Sequence, residues 1–194
     1  MNYPDTNIEN EILASDLQLI LDEHHQLAKN ISFDQLVAAL PKIEQAKNIF
    51  LVGAGRTGFM IRAAAMRLMH LGYAVHVVGE TTTPALSKGD FLIAASGSGT
   101  TSSIVKAAET ARKQEAHILC FTTNANSALS ELSDYTINIP AAGKQDHHST
   151  VSQQYAGSLF EQSFLLVFDA LIQFLWKQNG ATAEELWKRH ANME

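Results

Sequence analysis

Residues 47–71 read KNIFLVGAGRTGFMIRAAAMRLMHL. Four apolar residues, Ile49–Val52, run into a glycine-rich turn, Gly53-Ala54-Gly55-Arg56-Thr57-Gly58, and then into a helical stretch from Thr57 to Leu71. A short apolar run with no polar face reads as a strand covered on both sides, as in a parallel sheet. The same unit recurs downstream. Strands are expected at Ala74–Val78, Phe91–Ala95, His117–Phe121 and Tyr135–Ile139, with helices near 101–114 and 127–132. Strand–helix alternation at this spacing predicts βαβ units and an open, doubly wound α/β sheet.

The expected fold is a flavodoxin-like α/β/α sandwich with a five-stranded parallel sheet in the order 2-1-3-4-5. Helices extend it at both ends. Upstream, Thr6 with Glu9 and Ser32 with Gln35 have capping-box spacing, and Pro41 should break or kink the second of these helices. Downstream, a loop over Ala141–Gln154 precedes a long apolar helix from about Tyr155 to Gln178, and Thr182 with Glu185 starts a last short helix. No linker or repeat divides the 194 residues, so one domain is expected, with N-terminal helices over 1–46, the sheet over 47–140 and C-terminal helices over 155–194.

Lys and Arg number 14 against 20 Asp and Glu, a net charge of −6. That balance argues against nucleic acid or an anionic membrane as the partner, since both are bound by dense basic surfaces. The most apolar stretch, Phe164–Trp176, is shorter than a membrane span and is interrupted by Asp169 and Gln173. The N-terminal residues have no export-signal pattern, and the one cysteine, Cys120, fits a reducing compartment and a core position. A cytoplasmic location is expected. The helices at 57–71 and 155–178 are apolar nearly all round, which predicts a subunit interface.

Ligands of such a sheet bind beyond the carboxyl ends of its strands, at the switch point between strands one and three. The first turn there, GAGRTG, matches G-x-G-x-x-G, and Glu80 lies near the offset of a ribose contact, so an NAD-dependent oxidoreductase has to be weighed. The second turn is more specific: Ser96-Gly97-Ser98-Gly99-Thr100-Thr101-Ser102-Ser103. Hydroxyls can donate to anionic oxygens, glycines admit a close approach of backbone N–H groups, and a helix N-terminus adds positive potential. These features predict a phosphomonoester site without a metal, and the missing P-loop Lys argues against nucleoside triphosphates. Arg56 and Thr57 would face the same crevice. His24-His25 and His147-His148 lack the companions of a zinc site.

The chain resembles the sugar isomerase (SIS) domain family, and within it the branch that acts on 3-hexulose phosphates. The resemblance rests on GAGRTG (53–58), AMRLMHLG (65–72), GETTTPAL (79–86), GDFLIAASGSGTT (89–101) and GSLFEQ (157–162). It implies a tetramer without a cofactor that interconverts D-arabino-hex-3-ulose 6-phosphate and D-fructose 6-phosphate, the last step of formaldehyde fixation in the ribulose monophosphate pathway. By motif it places phosphate contacts on Ser96, Gly97, Ser98 and Thr101, a substrate contact on Thr57 and the catalytic base on Glu161.

From position alone, Glu161 is either a base, its pKa raised by burial in an apolar run, or a Glu that complements a helix dipole. His70, with a pKa near neutrality, is a candidate to move protons between the substrate oxygens, acting from its own or a neighbouring subunit; the alternative is a core or interface histidine. Asp169 is expected to pair with Arg62 or Arg67 across an interface. Competing functions are an arabinose 5-phosphate isomerase and a non-catalytic phosphosugar sensor. The sensor is disfavoured because the residues before the first strand contain no basic recognition helix.

Overall fold

The computed structural model describes residues 6–142 and 151–193. Five parallel strands, β1 (Ile49–Gly53), β2 (Val75–Val77), β3 (Phe91–Ala95), β4 (His117–Thr122) and β5 (Tyr135–Asn138), form one sheet in the order β2-β1-β3-β4-β5. The helices are α1 (Thr6–Ala28), α2 (Asp34–Gln45), α3 (Gly55–Leu71), α4 (Ser102–Lys113), α5 (Ala128–Leu132), α6 (Ser158–Asn179) and α7 (Ala183–Trp187). The expected sheet order is the observed one.

The two faces of the sheet explain why its strands carry no polar side. Ile49 and Leu51 of β1, Phe91 and Ile93 of β3 and Leu119 and Phe121 of β4 pack under α2, α3 and α6. Their neighbours Phe50, Val52, Leu92, Ala94, Ile118 and Cys120 pack on the other face under α4 and α5. Alternate side chains therefore enter two different cores, and both cores demand apolar residues. Cys120 is fully buried, in keeping with a core role.

Helix α6 carries the heaviest part of the larger core. Phe160, Phe164 and Phe168 are essentially solvent-free, and Phe164 meets Phe121 edge-on at 5.0 Å. Each such ring contributes roughly 2 kcal/mol by burial. By length and composition α6 could cross a membrane, with a mean hydropathy of 1.4, but ten of its residues are buried against the sheet and its neighbours. It is a core helix.

Several local expectations need correction. Pro41 does not end α2, which continues to Gln45. Pro41 and Val37, whose carbonyl it leaves unbonded, both lie on the exposed side, where solvent can take that carbonyl. Ser32 does not cap α2 through Gln35. Phe33 occupies the cap position without a side-chain bond, because the Ser32 hydroxyl engages Asp34 instead. Helix α6 starts at Ser158 and not near Tyr155, since Ala156 has a φ of 52° and cannot belong to a right-handed turn. The Thr182–Glu185 capping box is present as read. His147 and His148 lie outside the described residues.

Candidate active site

Strands β1 and β3 run side by side in register, with Gly53 opposite Ala95, so the turns that leave them emerge together at one edge of the sheet. They diverge to opposite faces, β1 into α3 and β3 into α4. The crevice between them is the topological switch point.

The hydroxyl-rich turn is tightly organised. Ser96 is buried, and its Oγ lies 3.0 Å from Thr101 Oγ1 and accepts from the Gly99 N–H at 3.2 Å. The Thr122 and Thr123 hydroxyls both donate to the Gly97 carbonyl, at 3.1 and 2.9 Å, which ties the turn to the end of β4. Ser98 accepts from Thr100, leaving both exposed at the crevice. Thr101 is the N-terminal cap residue of α4 but makes no side-chain cap bond, so its hydroxyl is committed to Ser96 and not to the helix. The first N–H groups of α4, at Ser102 and Ser103, have no intrahelical acceptor and point out of the helix start.

The first turn supplies close packing and a cation. A Cβ on Gly58 would stand 3.1 Å from the Gly53 carbonyl oxygen, so glycine lets α3 lie directly against β1. Thr57 is buried in the first turn of α3. Arg56, beside it, reaches across to α6: its Nη1 donates to Glu161 Oε2 at 3.2 Å and to Ser158 Oγ at 3.1 Å. The Arg56 side chain is 48% exposed and that of Glu161 only 4%, so a buried carboxylate is held against a half-exposed cation. Without that cation the burial of charge would be costly. Gly97 packs on the ring of Phe160, the residue before Glu161, which brings the hydroxyl turn and the carboxylate to neighbouring positions.

His70 is not among these groups. It sits in the last turn of α3, fourteen residues after Arg56 and therefore about 21 Å further along the helix axis at 1.5 Å per residue. Its ring stacks on His190 at 3.9 Å, and His190 in turn stacks on Trp187. The Nδ1 atom of His70 is buried and finds no hydrogen-bond partner among the described residues. Burial, with added repulsion from His190 and Arg67, holds its pKa below the ordinary value. The neutral ring is therefore favoured, and an NMR pH titration should give His70 a midpoint below the usual value of about 6.5. A midpoint above that value would contradict this packing. Because the folded-state pKa is the lower one, the stability His70 contributes is complete above about pH 6.5 and fades as the pH falls through its folded value.

Other candidates resolve simply. Glu80 pairs with Arg62 at 3.5 Å, which occupies the acidic group the dinucleotide reading required. Asp169 has no ion pair among the described residues, and the expected partner Arg62 is engaged elsewhere within the chain. No cluster of three or more His, Cys, Asp or Glu side chains that could hold a metal occurs among the described residues. A cavity of about 710 Å³ opens between α1 and residues 151–159; among the described residues Asp22 and Glu23 line it and no cation does, a lining that suits a phosphate poorly.

The SIS domain family matches residues 42–166, more than half of the chain. The chain belongs to the SIS domain family. This SIS chain is 52% identical to the 3-hexulose-6-phosphate isomerase of Mycobacterium gastri over 94% of its own length and 92% of the relative's. It is 39% identical to the enzyme of the same name from Bacillus subtilis strain 168, over 90% of this chain and 95% of that one. A crystal structure of a Methanococcus jannaschii protein, for which a 3-hexulose-6-phosphate isomerase function was inferred, superposes with a TM-score of 0.79 at 32% identity, covering 93% of the SIS chain and 99% of the other.

Two features of the site lay beyond sequence reasoning. The Arg56–Glu161 pair joins residues 105 positions apart, and only the crossing of α3 and α6 reveals it. The mutual engagement of Ser96 and Thr101 was likewise invisible, since a run of hydroxyls does not say which of them bond to one another.

Proposed function

We propose that this chain is a phosphosugar isomerase that interconverts D-arabino-hex-3-ulose 6-phosphate and D-fructose 6-phosphate, in the cytoplasm and without a cofactor. The observation that carries the reading is a buried carboxylate, Glu161, held by Arg56 at the switch point next to a hydroxyl-lined helix start. The likeness to named 3-hexulose-6-phosphate isomerases supports the choice of substrate.

Moving the carbonyl from C3 to C2 requires a proton to leave C2 and one to arrive at C3, through a cis-enediol. One carboxylate above that face performs both transfers, and Glu161 is that group. The phosphate is taken by Ser96, Gly97, Ser98, Gly99, Thr100 and Thr101, with the open N–H groups of α4 behind them. Thr57 donates to a sugar oxygen. Arg56, half exposed and already beside the base, stabilises the negative charge that develops on the enediolate oxygens. The 3-keto substrate carries phosphate on O6 and cannot close a five-membered ring, so in this direction no ring-opening acid is needed.

The functional unit is a homotetramer of single SIS domains. Ile8, Ile12, Leu13, Leu17 and Leu21 on α1, Phe59, Met66 and Met69 on α3, and Leu166 and Phe174 on α6 are exposed large apolar side chains. Three helices with apolar outer faces favour burial against other copies. His70 lies too far from its own chain's Glu161 to share its substrate, so its proton-transfer role is exercised on a neighbouring subunit's site.

Replacing Ser98 by Ala tests the phosphate reading. Loss of one hydrogen bond to a charged group, worth roughly 1.5–3 kcal/mol, should raise KM for the phosphosugar by about tenfold or more. The turnover number should change little, because the phosphate is remote from the reacting carbons. An unchanged KM in the steady-state assay would remove this turn from the substrate site.

A further inference from the structure

The turn of helix that carries Glu161 is poorly held by its own residues. Gly157 stands at the cap position of α6 with no side-chain cap bond, and Ala156 before it is in the left-handed region at φ 52°. An uncapped first turn frays readily. Arg56 of α3 bonds Ser158 and Glu161 there, and further support comes from α1. His24 spends both ring nitrogens on the two residues that follow Glu161: Nε2 lies 3.0 Å from Gln162 Oε1 and Nδ1 lies 3.1 Å from Ser163 Oγ. A neutral ring satisfies both contacts when Nε2–H donates to the amide oxygen and Nδ1 accepts from the hydroxyl.

Glu23, the preceding residue, holds the chain on the other side of Glu161. Its carboxylate accepts from Ser152 Oγ at 2.7 Å, from the Gln153 N–H at 2.6 Å and from Gln154 Nε2 at 2.8 Å. Burial works against the charge there, yet these hydrogen bonds prevail and hold the Glu23 pKa below its ordinary value. The connector that leads into α6 is thus gripped at 152–154 by Glu23 and at 162–163 by His24. Elsewhere α1 has little purchase on the body, since Leu27 is its one buried residue. Simple attachment of a surface helix is served by apolar contact; five polar contacts aimed at the two flanks of one carboxylate do something more specific.

We infer that Glu23 and His24 are positioning residues for the catalytic base, fixing the first turn of α6 so that Glu161 stays over the reacting C2–C3 bond. The inference rests on the reading of Glu161 as that base. Neither residue touches substrate, so their effect falls on kcat and not on phosphosugar binding.

The test is steady-state kinetics with fructose 6-phosphate binding measured by calorimetry. His24→Ala should lower kcat by about 10- to 100-fold, the scale of an ångström-size misplacement, while KM and the binding constant stay within about twofold. His24→Gln, which keeps a donor near the position of Nε2, should recover part of the loss. Gln162→Ala breaks the same contact from the α6 side and should show the same split even if His24→Ala fails to fold. In a Glu161→Gln background, His24→Ala should cost nothing further, because there is no base left to position. Wild-type kcat in both His24→Ala and Gln162→Ala, with Glu161→Gln inactive, would overturn the positioning role alone. An active Glu161→Gln would instead overturn the assignment of the base on which it stands. A rise in KM in step with the fall in kcat would mean general loosening and would also overturn it.

Discussion

Glu161→Gln should leave fructose 6-phosphate bound while lowering kcat between about 10²- and 10⁴-fold, the range of a lost general base. The substitution keeps the volume of the side chain and an oxygen that can still accept from Arg56 Nη1, now 3.2 Å from Oε2. It removes only the capacity to take a proton from carbon. The protein should therefore fold and bind, and the loss should fall on turnover. Coupled assay of fructose 6-phosphate formation, with calorimetric binding on the same preparation, separates these quantities. A kcat within about threefold of wild type would place the base elsewhere, since loss of a general base costs far more than that.

Gly99→Ala should have the largest effect on folding of any substitution in the site. Gly99 has a φ of +65°, which costs an L side chain about 1–2 kcal/mol. A Cβ there would also fall 2.0 Å from Ser127 Oγ and 2.3 Å from Ser127 Cβ, an overlap no rotamer change of Ser127 removes. Ser127 cannot move freely, because its hydroxyl accepts from Ser130 N and caps α5. The Gly99 carbonyl meanwhile accepts from Leu129 N at 3.0 Å, so a shift of the turn drags α5 with it. Strain and overpacking together should cost about 3 kcal/mol. For a chain of this size that lowers Tm by roughly 6–12 °C. Thermal melting reads it directly, and KM should rise as well because the turn that meets the phosphate is displaced. An unchanged Tm would mean that the turn relaxes without cost.

How much of this was legible beforehand divides along a physical line. The strands were readable because both faces of the sheet are covered, so Ile49–Val52 and Phe91–Ala95 carry no polar interruption. Their order is the flavodoxin-like one expected of a doubly wound sheet with this strand–helix alternation. The Thr182–Glu185 cap was readable because a capping box is a local arrangement. Pro41 misled because its cost depends on whether solvent reaches the carbonyl it leaves free, which is decided by the face α2 exposes. Glu161 could be placed at a helix start but not beside Arg56, and His24 could be set aside as a zinc ligand but not joined to Gln162 and Ser163, 138 and 139 positions away. Contacts between helices that are far apart in the chain leave no mark on either segment alone.

The most direct test of the proposed function is turnover of freshly prepared D-arabino-hex-3-ulose 6-phosphate by the wild-type protein, with fructose 6-phosphate as the product followed and arabinose 5-phosphate as the competing substrate. The expected result is rapid formation of fructose 6-phosphate without added metal or nucleotide, and no isomerisation of arabinose 5-phosphate. Tight binding of fructose 6-phosphate with no turnover of the hexulose phosphate would contradict the proposal and identify the site as a phosphosugar sensor.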